Sequence, residues 1–150
     1  SPVSILSESA SYCCSNETGS VIFIPKNYRG ARRGLRELVL HECAHSFLNF
    51  KERVKDLKYV QAAFGKLEDG NYIFYRVSAF LHYFKEREPG YCSGYAMTSP
   101  EEDFAETFSF VLCNINSRKN WSFGGEVIDF ENDYILQTKI NVIKRVLRLD

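Results

Sequence analysis

The feature that most constrains this chain is the stretch LVLHECAHSFL at residues 38–48, with His41-Glu42-Cys43-Ala44-His45 inside it. On an α-helix, positions i and i+4 stand one above the other on the same face. A helix here therefore aims two imidazoles at one point, with Glu42 beside them, the H-E-x-x-H arrangement of a zinc site and its general base. Leu38, Val39, Leu40, Cys43, Ala44, Phe47 and Leu48 are apolar on nearly every side, which predicts a central, buried helix. Burying a carboxylate and two imidazoles is costly unless something satisfies them, and a metal ion does. Paired histidines on an ordinary core helix are the alternative that the spacing leaves open.

At 150 residues the chain is long enough for one good core, and a single domain over residues 1–150 is expected. Lys plus Arg equals Asp plus Glu at 19 each, so the formal net charge is zero. A dedicated nucleic-acid binder carries a basic excess, so no nucleic-acid partner is expected. No apolar run approaches the ~18 residues of a membrane helix, and the first residues lack a signal-peptide pattern. The chain begins at Ser1, as a trimmed or excised domain would, and its compartment and oligomeric state are left open. Five cysteines occur without a C-x-x-C pair, so a cysteine zinc site is not expected.

Turn residues at 15–19 between two apolar runs predict a hairpin of residues 11–14 with 20–25. A long helix follows at about 31–50, a short one at 59–64, and another from Asn71 to about Arg87 that stops before Pro89-Gly90. Residues 91–98 read as an extended connector. Ser99-Pro100-Glu101-Glu102 is a strong helix start, with Ser99 as N-cap, Pro100 at the first position and acids in the first turn. That helix runs to about Cys113. Residues 114–131 read as loop, and an amphipathic helix at about 132–148 carries Ile135, Leu136, Ile140, Ile143 and Leu147.

A catalytic zinc takes three protein ligands and keeps one open position. A third histidine ten residues after His41 is excluded, because that position is Lys51. His82 is the only other histidine, and it stands among aromatics that suit packing better than ligation. Glu102 and Glu106 are i and i+4 on the helix after Ser99, away from its apolar stripe. One carboxylate as ligand, with a second accepting the free imidazole N–H, would finish a two-His-one-Glu site. The alternative is a capping box, since Glu102 stands three residues after Ser99.

Four blocks now stand together: HECAH, then Phe64-Gly65, then Ser93-Gly94-Tyr95-Ala96, then Ser99 to Phe108 with its P-E-E-D-F-A-E run. In these the chain resembles the bacterial family known as putative zinc-binding metallopeptidases, over about residues 35–115. More remotely it is similar to anthrax lethal factor and the Pro-Pro endopeptidases, in which a tyrosine stands seven residues before the glutamate ligand. Tyr95 stands seven before Glu102, so the resemblance implies Glu102 as ligand and Glu106 as its support behind the histidines. It implies an α+β, zincin-like metalloprotease domain of the gluzincin type: a small mixed sheet on the H-E-x-x-H helix, with the third ligand on a second helix. The expected activity is hydrolysis of peptide bonds in a peptide or protein substrate. Zn2+ would be held by His41, His45 and Glu102, with Glu42 as general base and Tyr95 as donor to the oxyanion. The strand near Val21–Ile24 could pair with an extended substrate, although a buried inner strand explains the same residues. A catalytically silent zincin-fold binding domain is the alternative function.

Overall fold

The computed structural model describes the backbone of residues 12–16 and 19–23, and residues 34–49, 57–65 and 86–149. Its elements are the strands β1 (Tyr12–Asn16) and β2 (Gly19–Phe23), then the helices α1 (Leu35–Asn49) and α2 (Leu57–Phe64). A 3-10 turn (Tyr95–Met97) leads to α3 (Pro100–Asn114), followed by the two-residue strands β3 (Ser122–Phe123) and β4 (Glu126–Val127) and by α4 (Tyr134–Val146). The arrangement is α+β and rich in helix.

β1 and β2 form the expected hairpin, antiparallel from Tyr12 opposite Phe23 to Asn16 opposite Gly19. Both strands lie against α1. The mixed sheet expected over that helix is not present among the described residues, where both sheets are antiparallel pairs. Most of the helix expected at 71–87 falls outside the described residues, and residues 86 and 87 are not helical.

Among the described residues α3 is the most enclosed helix, while α1, expected to be central and buried, gives Ala44 and Leu48 to the core and leaves part of its surface open. Every residue from Asp103 to Val111 is buried. On α1 only Leu38, His41, Glu42, Ala44 and Leu48 are, and Leu35 lies open to solvent. The reason is packing on more than one side. α3 touches α1, α2, α4, β3 and the 3-10 turn, so no face of it is left over. Phe104 and Phe108 meet Phe47 of α1, and Phe104 also meets Phe64 of α2 edge-on at 5.4 Å. At the other end, Phe110 packs against Trp121, Phe123 and Phe130.

The helix boundaries follow local chemistry. Ser99 caps α3 by accepting a hydrogen bond from the Glu102 amide at 3.2 Å, with Pro100 next in place. Asp133 caps α4 by accepting from the Leu136 amide at 3.0 Å. Residues 114–131 are not all loop. Gly124 and Gly125, at φ of +58° and +78°, make the tight turn that a two-residue hairpin requires, and β3 and β4 pair across it. Asn114 docks that hairpin by exchanging two hydrogen bonds with the Ser122 backbone. On α4, Leu136, Ile140 and Ile143 are buried as expected, but Ile135 is 58% exposed. Among the described residues no helix is long and apolar enough to cross a membrane.

Candidate metal centre

α1 and α3 cross so that His41 and His45 of the first face Glu102 and Glu106 of the second. His41 is buried, while His45 and Glu102 lie half-buried at the rim. The two Nε2 atoms stand 3.1 Å apart. Glu102 Oε2 is 2.9 Å from His41 Nε2, and Glu102 Oε1 is 3.3 Å from His45 Nε2. Among the described residues this trio is the one group of three possible ligands whose atoms converge, all within 4.8 Å of one another.

Two observations test whether a metal fits. With bonds of about 2.0–2.1 Å, the ligand atoms of a tetrahedral zinc stand about 3.3 Å apart; here the nearest atoms of the three side chains stand 2.9–3.3 Å apart, the carboxylate meeting the two rings through different oxygens. In addition, Glu102 Oε2 is buried and makes no hydrogen bond of acceptable direction, close as it is to His41. A buried carboxylate oxygen left this way is costly, and a cation at the centre of the trio would satisfy it. Two imidazole nitrogens and one carboxylate oxygen are a donor set that zinc accepts. The residues fit the ion.

Behind the trio, Glu106 is fully buried, with Oε2 3.1 Å from His41 Nδ1. Its other oxygen accepts a hydrogen bond from Ser93 Oγ at 3.0 Å, and Ser93 Oγ in turn accepts one from the Ala96 amide at 3.1 Å. This chain of contacts ties the 3-10 turn to α3 and to His41. It places the Tyr95 ring 5.8 Å from the His41 ring. The connector expected to be extended is thus folded back onto the site. Glu42 is buried on α1, one residue from His41.

The protonation states follow from these neighbours. Burial acts to lower the His41 pKa, but close contact with the Glu102 and Glu106 carboxylates outweighs it and raises the group from 6.5 to about 9. Burial acts to raise Glu102, and His41 and His45 outweigh that, bringing it to about 2. Without a metal, His41 is therefore an imidazolium at neutral pH and Glu102 a carboxylate. Burial, with Glu106 and Asp103 near, pushes the Cys92 thiol well above its ordinary range, so it stays protonated beside Thr107.

Of the sequence-derived candidates, His41, His45, Glu102 and Glu106 meet at this crossing, the Tyr95 ring stands beside His41, Glu42 is buried next to His41 in the chain, and His82 falls outside the described residues. The capping-box alternative is half realised: Ser99 caps the Glu102 amide, while the Glu102 carboxylate lies against the two histidines. Sequence reasoning gave no role to Ser93. Its signal was the S-x-Y-A block, which the periodicity of helices and strands does not reach.

No curated protein and no solved structure matches the chain. A family model described as "Putative zinc-binding metallo-peptidase" matches residues 21–145, a span that contains α1, the 3-10 turn, α3 and nearly all of α4. The chain therefore belongs to this metallopeptidase family.

Proposed function

We propose that the chain is a zinc-dependent endopeptidase with a zincin-like fold of the gluzincin type. The observation that carries the reading is the convergence of His41 Nε2, His45 Nε2 and the Glu102 carboxylate on one another. These three residues would hold Zn2+. When bound, zinc acts as a Lewis acid that lowers the pKa of water toward ~7 and polarises a carbonyl.

The remaining work falls to side chains. Glu42 takes a proton from the attacking water on its carboxylate as the water oxygen bonds to the carbonyl carbon. It then delivers that proton to the amide nitrogen as the C–N bond breaks. Tyr95 donates its phenolic hydrogen to the oxyanion that develops on the former carbonyl oxygen. Glu106 accepts the His41 Nδ1–H, which selects the tautomer whose Nε2 lone pair faces the site. Ser93 holds Glu106 in that task. The substrate is a peptide or protein.

Glu42→Gln tests the assignment, because it keeps the size and leaves the three ligands alone. Zinc content should stay near one per chain while peptide hydrolysis falls by about 10²-fold or more. A variant that keeps most of the parent's turnover would remove Glu42 from the mechanism.

A further inference from the structure

α4 carries a lysine on its apolar face. Lys139 lies in the same row as Leu136, Ile140 and Ile143 and is only 4% exposed. A lysine is almost never buried unless it is paired. Its Nζ stands 2.6 Å from Asp103 Oδ2 of α3 and donates to the Gly90 carbonyl at 2.6 Å. The same ammonium lies 4.0 Å from the centre of the Tyr91 ring. Asp133, the cap of α4, accepts a hydrogen bond from the Gly90 amide, also at 2.6 Å. α4 thus grips both polar groups of Gly90 and the first turn of α3 at once.

Gly90 lies close against α4. Its φ is +92°, and a Cβ there would meet Ile135 Cγ2 at 3.1 Å. Three residues on is Ser93, which holds Glu106, and five on is Tyr95. Asp103, the other anchor of Lys139, is the chain neighbour of Glu102. An aliphatic side chain at 139 would fill this space equally well, but it would not fix where residues 90–95 lie along α3.

We propose that Lys139 is a positioning residue of the metal centre. Through the Gly90 carbonyl and Asp103 it sets residues 90–95 against α3, so that Ser93 holds Glu106 and Tyr95 stands beside His41. The inference rests on the zinc-peptidase reading above.

The test removes both charges together, Lys139→Met with Asp103→Leu, so that neither is left orphaned in the core. Zinc affinity, read by competition with a chelator, should fall about 10-fold, as when an outer hydrogen bond to a ligand is lost. kcat should fall by a similar factor with KM within about twofold. Ser93→Ala alone should lower zinc affinity about 10-fold. Added to the neutral pair it should lower it by less than about twofold more, because both act through Glu106. Asp103→Asn keeps the shape, weakens the ion pair and gives the same test in milder form. Zinc affinity equal to the parent's in these variants, whatever their melting temperature, would reduce Lys139 to a stabilising residue. Full additivity with Ser93→Ala would overturn the route through Glu106. If the unsubstituted protein neither takes up zinc nor cleaves peptides, the functional reading falls and takes this role with it.

Discussion

Glu102 and Asp103 are neighbours in the chain, about 100° apart around α3, and they enter two different buried clusters. Glu102 faces α1, where His41, His45 and Glu106 gather. Asp103 faces α4, where Lys139 meets it at 2.6 Å. Both clusters bury charge, and only one of them is closed. Around Asp103, the Lys139 ammonium, the Thr107 hydroxyl at 3.4 Å and the Gly90 carbonyl meet one another's polar atoms. Around Glu102, two imidazole rings and a carboxylate meet ligand atom to ligand atom, and in the metal-free protein the extra proton on His41 holds them together. A buried ionic cluster that satisfies itself belongs to the architecture. One held by an exchangeable proton between ligand atoms is a place where a metal ion can take that proton's position.

The largest effect is expected at Glu102. Glu102→Ala should lower zinc affinity by far more than the about 10–100-fold of an outer-contact loss, because a ligand itself is gone, whereas His82→Ala should leave affinity as it is. Titration against a chelator orders the two, and a weaker His82→Ala protein would reassign the third ligand. On the closed side the large effect is on folding. Lys139→Met alone leaves Asp103 buried without its cation and should cost about 3–5 kcal/mol in denaturant unfolding of the metal-free protein. A cost under about 1 kcal/mol would mean that Asp103 reaches water or takes up a proton.

Glu106 stands between the two kinds of cluster, since it is fully enclosed yet serves His41. Glu106→Ala should weaken zinc binding about 10–100-fold without abolishing it. Complete loss of zinc would promote Glu106 to a ligand. The smallest effect is the pH dependence of the open cluster. His41 is raised to about 9 in the metal-free protein, so below that pH a proton must leave before its Nε2 can accept a metal. Apparent zinc affinity should therefore rise about tenfold per pH unit between pH 7 and 8.5 and level off near 9. The sign for stability is opposite. A raised histidine pKa contributes stability that is present in full below 6.5 and lost as pH climbs through about 9. Glu102, lowered from 4.5 to about 2, contributes stability present above 4.5 and lost as pH falls through about 2. Metal-free protein should thus be most stable between about pH 4.5 and 6.5, as urea midpoints across the range would measure.

Much of the site could be read from the chain because its chemistry is local. The i, i+4 pairs His41/His45 and Glu102/Glu106 need only a helix to share a face, and Ser99-Pro100 marks the helix start that sets the second pair in phase. The hairpin of β1 and β2 is equally local, carried by a turn between two apolar runs. Long-range partners carry no such periodicity. Apolar residues all around α1 suggested a central, buried helix, yet enclosure depends on how many neighbours a helix has, and among the described residues α3 has more than α1. Ile135 fitted the stripe of α4 by spacing but lies at its edge over Gly90, largely in solvent.

Local sequence sets which side chains share a face, where α3 and α4 begin, and that His41 and His45 on one helix, like Glu102 and Glu106 on another, stand one turn apart. Tertiary structure alone decided that α1 and α3 cross with those faces opposed, and that residues 91–98 fold back to bring Ser93 onto Glu106. It also decided that a lysine from α4 closes the cluster behind Asp103. The reason is the range of the forces. Helix phase and capping act within four residues, whereas which charges end up buried together depends on which apolar faces find one another, and only the assembled core settles that.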